Sequence, residues 1–242
     1  MEKFFARAKF IIPAYNSLGP VTTFLLYYQN RKLQMLLLQQ INKKYGSNLI
    51  LSFDEWKIDG GVFWLKGGNG TGKTTLFRII SGQTPFTGEV VMNGISLKKD
   101  PINFRSKISF AEAEPHYPSF ITGKELLNFY KDVRSAAQID VNELTKLFGM
   151  DAFLDQKIGG YSSGMLKKLS LICAFVGEVD LYILDEPLIT IDVDSAAKLY
   201  HLISLKAKQG KSFLLSSHQE IDSGRLELDG VFHVKDKAVV KC

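Results

Sequence analysis

Cysteine is nearly absent. The 242 residues contain two, Cys173 inside an apolar helical pattern and Cys242 at the C-terminal end, so no disulfide framework is implied and a reducing, intracellular compartment is expected. Long apolar runs are missing as well. The most hydrophobic short stretches, FLLYY at 24–28 and MLLL at 35–38, are separated by Gln29, Asn30, Arg31, Lys32 and Gln34, far short of the ~18 apolar residues that a spanning helix needs. The opening charges are followed by FIIPAYNS, an apolar part that Pro13 cuts short and that makes at most a weak secretory signal. Charge of one sign is in small excess only, 30 Lys and Arg against 25 Asp and Glu, which indicates neither a nucleic-acid stripe nor a polybasic membrane anchor. No repeat or low-complexity segment interrupts the chain, which is therefore read as alternating strands and helices.

What is present is a globular composition, 45% hydrophobic over a length that suits one large domain or two small ones. The basic excess is concentrated in residues 1–34, where Lys3, Arg7, Lys9, Arg31 and Lys32 face only Glu2. Phe4, Phe5, Ala8, Ile11 and Ile12 could line one face of a short basic helix touching a membrane surface or a partner; the alternative is a plain extension, with Met35 opening the domain. From residue 35 onward the pattern is coherent. MLLLQQINKKYG and NLILSFDEW read as paired strands and GVFWLKG as a buried strand. KTTLFRIISG reads as a helix closed by Gly82, GEVVMNG and SKISFA as strands, and 122–154 as mostly helical. DLYILD and SFLLSS return to fully apolar strand character around a helical stretch at 193–208. Strand and helix in this alternation predict a parallel sheet with crossovers.

Three motifs carry chemistry. GGNGTGKTT at 67–75 fits Gly-x-x-x-x-Gly-Lys-[Ser/Thr], placed between an apolar strand and a helix. Its residues Gly67, Gly68, Asn69, Gly70, Thr71, Gly72, Lys73, Thr74 and Thr75 would curl around phosphate oxygens, with backbone N–H groups and the helix N-terminus facing the anion. Lys73 would reach the β and γ phosphates and the Thr74 hydroxyl would hold Mg²⁺. In LYILDEP an apolar strand delivers Asp185 and Glu186 to its C-terminal end, where ligands of open α/β sheets bind. Asp185 can serve the Mg²⁺ water shell and Glu186 can orient or deprotonate an attacking water; the competing reading is a strand end followed by a turn. LLSSHQE repeats the device with His218, whose plain alternative is a surface or core histidine. His116, His201 and His233 have no such placement. Finally, GGYSSGMLKKLSL opens with serines before an amphipathic helix over 163–176, with Lys167 and Lys168 on its outward side and Ser162 as its cap. By itself SSG is no more than that cap.

Taken in order, phosphate loop, YSSGM and ILDEP resemble the ATP-binding cassette family, whose LSGGQ signature precedes a helix in this place. The resemblance runs from about residue 35 to residue 241. It implies an α/β fold: a P-loop NTPase core with a RecA-like parallel sheet, an antiparallel β subdomain, and an inserted α-helical subdomain at about 112–165 within a domain spanning 35–242. It also implies an ATPase that uses ATP and Mg²⁺, with two cassettes pairing head to tail so that Ser162, Ser163 and Gly164 of one meet the γ-phosphate on the phosphate loop of the other. Helix N-termini favour such anions. Tyr45, 28 residues before Lys73, looks like the aromatic that stacks on adenine, against the alternative of an ordinary core or surface tyrosine. Asp192 looks like the aspartate that contacts the opposite subunit. Lys73, Glu186 and His218 are the implied catalytic set, and Thr74 and Asp185 the metal set.

The implied partners are separate membrane-spanning subunits docking near 112–135 and a second cassette, expected to be a copy of this chain; no nucleic acid is expected. The implied location is cytoplasmic, peripheral to the inner face of the cell membrane. Two departures stand out. YSSGM has Ser163 and Met165 where the family has glycine and glutamine, and ISFAEAEPHYP puts Ala113, flanked by Glu112 and Glu114, where the family has a glutamine that touches Mg²⁺ and contacts the transporter subunit. Competing readings are a DNA-repair cassette, which would carry a long coiled coil, and a translation cassette, which would carry two copies in one chain. A phosphate-loop kinase or GTPase, for which no Asn-Lys-x-Asp element is visible, and a cassette that closes on ATP but hydrolyses it poorly complete the set.

Overall fold

A computed structural model describes residues 35–217, 221–222 and 224–242. The basic segment 1–34 and His218 lie outside the described residues. Alternating apolar residues build β1 (Leu36–Tyr45) and β2 (Asn48–Ile58), which pair antiparallel. With β4 (Thr87–Met92) and β5 (Ile95–Ser96) they form a four-stranded antiparallel sheet in the order β2-β1-β4-β5. The second sheet has the order β10-β9-β3-β8-β7-β6. Its strands β3 (Val62–Lys66), β6 (Ile108–Ala111), β7 (Leu181–Leu184), β8 (Ser212–Ser216) and β9 (Gly230–Lys235) run parallel, and β10 (Ala238–Lys241) returns antiparallel on β9. Among the described residues six α-helices connect them: α1 (Lys73–Ile80), α2 (Pro101–Ser106), α3 (Gly123–Val133), α4 (Gln138–Leu147), α5 (Ser163–Phe175) and α6 (Val193–Lys208). The parallel sheet, the antiparallel sheet and the helical block between β6 and β7 agree with the expected architecture.

The central strands β3, β7 and β8 are largely apolar because each serves two cores. Successive side chains point to opposite faces. Leu181 and Ile183 of β7 therefore join Phe63, Leu65 and Leu214 in a core shared with α1 and the antiparallel sheet. Tyr182 and Leu184 join Val62, Trp64, Phe213 and Leu215 in a second core shared with α3 to α6. In this second core the rings of Phe175, Tyr182 and Phe213 stack, with centroids 5.0 and 4.9 Å apart along the column.

The helical block is fastened by caps and by one arginine. Thr122 and Glu125 form a reciprocal capping box at the start of α3, satisfying two orphan donors. Arg134, just past the end of α3, donates Nη1 to the carbonyls of Cys173, Ala174 and Val176 at 3.1, 3.0 and 2.8 Å, and Nη2 to Ser109 Oγ at 3.1 Å. It thereby caps the C-terminal end of α5, where carbonyls lack helical partners and a cation is favoured. The helix α5 is enclosed by the sheet and the helical block together. Every residue from Leu169 to Phe175 is buried, so the amphipathic reading of 163–176 is corrected: a helix packed on all sides carries no solvent stripe over its buried length.

Candidate functional site

The strand β3 ends at Lys66 and the chain turns at once into 67–72, a loop whose conformation only glycine tolerates at several points. Gly67 has φ 154°, and a Cβ there would stand 2.6 Å from Thr71 Oγ1; Gly72, at φ 108°, caps α1 in the left-handed region. The loop is tightened by Thr71 Oγ1 donating to Gly68 O at 2.9 Å, and Lys73 folds back over it, donating Nζ to Gly67 O at 2.7 Å and Gly68 O at 3.2 Å. The result is a cradle of backbone amides with a buried ammonium at its rim.

Facing this cradle is the C-terminal edge of β7. Asp185 is buried and accepts from Thr74 Oγ1 at 2.6 Å and from Ser216 Oγ at 2.5 Å. A hydroxyl and a carboxylate meeting at that distance are hard oxygen donors of the sort Mg²⁺ selects. Glu186 follows with φ 47°, and its N–H donates to the same Ser216 hydroxyl at 2.9 Å. A non-glycine residue in the left-handed region is held there by its surroundings. Together these groups bound a cleft of about 580 Å³ lined by Ile50, the phosphate-loop residues Gly68, Asn69, Gly70 and Gly72 to Thr75, and Ala113, Glu114, Asp185, Glu186 and Ile189.

Both glutamates flanking Ala113 now have places. Glu114 lines the cleft, whereas Glu112 turns away to Arg78 on α1 at 3.4 Å. Tyr45 lies at the end of β1, half-exposed, with the Lys43 ammonium 4.2 Å from its ring centroid; that ammonium is fixed by Thr84 Oγ1 and Pro85 O, each at 2.8 Å.

The serines of YSSGM are elsewhere. Ser162 Oγ accepts from Met165 N at 3.2 Å, capping α5, and both Ser162 and Ser163 are exposed. None of Ser162, Ser163 and Gly164 lines the chain's own cleft. Gly164 sits against the loop that follows β7: a Cβ on it would approach Thr190 O to 2.8 Å. Asp192 caps α6 through Ser195 N at 2.8 Å and pairs with Lys168 Nζ at 2.6 Å. That pairing holds its carboxyl far below the usual carboxylate range, with the Lys168 hydrogen bond the leading cause and the Ser195 amide next.

A family model for ABC transporters matches residues 56–189. The chain belongs to that family. The cytochrome c biogenesis ATP-binding export protein CcmA of Legionella pneumophila is 30% identical over 172 residues, covering 70% of this chain and 85% of that protein. The ABC transporter ATP-binding protein NatA of Bacillus subtilis is 28% identical over 165 residues, covering 66% and 67%. A solved ATP-binding subunit of an ABC transporter superimposes with a TM-score of 0.78 at 24% identity, over 86% of this chain and 89% of that one, which shows the fold. This ABC cassette is thus an ATP-binding, ATP-hydrolysing subunit that powers transport through separate membrane-spanning subunits. Among the described residues no helix is long and apolar enough to cross a membrane.

Two participants in the cassette's site escaped the sequence reading. Ser216, at the end of β8, bridges Asp185 and the Glu186 amide; its signal was a polar residue closing the apolar run SFLLSS beside LYILD. Lys167 was expected on the outward side of its helix and is instead 1% exposed. Its Nζ donates to the carbonyls of Glu112 at 2.8 Å, Ala113 at 3.2 Å and Asp185 at 2.9 Å. Burial pushes this ammonium down to about 8, against the pull of Asp185 and Glu186. Lys168 does reach the surface, as the Asp192 pair requires.

Proposed function

We propose that this cassette binds MgATP in the cleft beneath its phosphate loop and hydrolyses it only when a second cassette, expected to be a copy of itself, presents Ser162, Ser163 and Gly164 to the γ-phosphate. The observation that carries this reading is the separation within one chain: phosphate loop and strand carboxylates share one cleft, while the exposed, serine-capped start of α5 is absent from its lining. A helix N-terminus with free amides is an anion site awaiting an anion.

In this reading the amides of Gly68 to Thr75 and the Lys73 ammonium bind and orient the phosphates. Lys73 exchanges its bonds to Gly67 O and Gly68 O for phosphate oxygens. Thr74 and Asp185 would hold Mg²⁺, which would supply positive charge to offset that developing on the phosphates. Glu186 takes a proton from the attacking water, and Glu114, on the cleft wall next to the Ala113 position where the family has glutamine, would stand in for that glutamine toward Mg²⁺. Tyr45 stacks on the base. His218, which lies outside the described residues, keeps the role that the family resemblance implies for it, on the γ-phosphate. The aspartate loop around Asp192 touches the partner cassette through its backbone and exposed side chains, since its carboxylate is engaged within its own chain.

The domain is taken to span 35–242, with a helical subdomain at about 112–165 that meets the membrane-spanning subunits. Phe120, Phe129 and Val133 support that surface, each a large apolar side chain more than half exposed. The inner face of the cell membrane is the corresponding location.

The test is light scattering of Glu186→Gln with and without ATP and Mg²⁺. A nucleotide-dependent doubling of mass that disappears on adding Ser162→Arg is the expected result. A monomer at all nucleotide concentrations would overturn pairing between copies of this chain.

A further inference from the structure

Strands β6 and β7 pair in parallel up to Ala111 and Leu184, and the last rung is Asp185 N donating to Ala111 O at 2.9 Å. Beyond it the two chains separate, one toward Glu114 and the other toward Glu186. The next carbonyls along each, those of Glu112, Ala113 and Asp185, converge on a single donor, the ammonium of Lys167. A lysine ammonium has three N–H donors, and all three are accounted for here. Two of the accepting carbonyls have a direct geometric meaning. The Ala113 carbonyl belongs to the peptide that precedes Glu114, and the Asp185 carbonyl to the peptide that precedes Glu186. The latter peptide is gripped from both sides, by Lys167 at its oxygen and by Ser216 at its nitrogen, 2.9 Å each. This is the peptide that carries Glu186 into the left-handed region at φ 47°, a conformation that persists only where the surroundings over-determine it.

We infer that Lys167 is a positioning residue for hydrolysis: it fixes the peptides that aim Glu186 and Glu114 into the cleft, and ties both to the helix whose N-terminus is the YSSGM segment. Lys167 stands on α5 about one and a half turns from Ser162 and is buried, so a shift of that N-terminus moves the ammonium with it. The inference rests on the reading of Glu186 as the base. An apolar residue of similar length would fill the same space yet leave three buried carbonyls without a donor and the Glu186 peptide held from one side only.

The test compares the full-length protein with Lys167→Met, Lys167→Arg and Glu186→Gln, measuring steady-state ATPase, affinity for a fluorescent ATP analogue with Mg²⁺, and thermal melting. For folded K167M the expected result is a fall in kcat of about 10²-fold, the scale of a small misplacement of a reacting group, with KM and analogue affinity within about threefold of the parent, as for an interaction felt only in the transition state. K167R, which keeps the donors, should recover most of the loss. In the E186Q background K167M should lower the residual rate no further, because both act through one group. A kcat within about twofold of the parent, or equal losses in kcat and nucleotide affinity, overturns the proposal. If K167M does not fold, Lys167→Gln is read by the same criteria. The two readings fail differently: retained turnover in E186Q removes Glu186 as the base, whereas loss in E186Q with normal kcat in K167M removes Lys167 alone.

Discussion

Asp185 and Glu186 are neighbours in sequence, and both are buried at the tip of β7. Asp185 is fully occupied, with Thr74 and Ser216 on its carboxylate and Lys167 on its carbonyl, so it is suited to hold a ligand in one geometry. Glu186 has its backbone set by a positive φ and a clamped N–H. Replacing it by glutamine keeps the side-chain shape and, on the proposed reading, removes the base. Turnover in E186Q should fall by about 10²–10⁴-fold, the range for loss of a general base, while analogue affinity remains within a few fold; a coupled-enzyme assay alongside fluorescence titration reads both. Gly164 answers to a different constraint. With Thr190 O only 2.8 Å from where a Cβ would lie, Gly164→Ala must push the 186–192 loop away from the YSSGM segment. In the E186Q background it should raise the protein concentration needed for nucleotide-driven association, read by light scattering.

At the scale of elements, α5 joins the two ends of the molecule, and each end has its own fastening. Its C-terminal end depends on Arg134. Truncation by Arg134→Ala leaves the carbonyls of Cys173 and Val176 without that donor, while Ala174 O keeps the Ser109 hydroxyl, and unsatisfied buried acceptors of this kind cost about 1–3 kcal/mol. Urea unfolding should register a loss of that order, most of it restored by no substitution that lacks a forked guanidinium. Its N-terminal end is linked to α6 by the Lys168–Asp192 pair. Because the Asp192 carboxyl titrates below its unfolded value, the pair's contribution is fully present above about pH 4 and fades as the pH drops further. The difference in unfolding free energy between the parent and Asp192→Asn should therefore be constant from pH 7 to about 5 and shrink below about 4. Both sites were half-visible in the sequence. The spacing of Met165, Leu166, Leu169, Ile172, Cys173 and Val176 marks the helix, but periodicity reports what an isolated helix would prefer to bury. It carries no information on a second layer of helices closing over Lys167, nor on backbone carbonyls able to satisfy a buried ammonium.

For the molecule as a whole, local patterns were sufficient wherever chemistry and chain order coincide. GGNGTGKTT contains its strand exit, its glycine turns and its helix within a few residues, and LYILD shows its burial through composition alone. The missing pieces are those that come from distant chain: Ser216 beside Asp185, Lys167 beneath Ala113, and Glu114 on the wall of the cleft. Sheet order and the divergence of β6 from β7 decide them. The exposed Phe120, Phe129 and Val133 belong to this scale too. Phe129→Ser should leave the ATPase of the isolated chain unchanged and abolish its stimulation by reconstituted membrane-spanning subunits; equal stimulation would move the docking surface elsewhere.

The strand β7 has only four residues, and its alternate side chains are buried in two different cores. Sliding it by one position would exchange the sets, forcing the Tyr182 ring out of its stacked column and into the space that Leu181 or Ile183 now fills. The strand is consequently a fixed shaft. Adjustments to the carboxylates at its tip cannot come from moving the shaft and are left to the groups that grip the tip from outside, the hydroxyl of Ser216 on one side and the ammonium of Lys167 on the other.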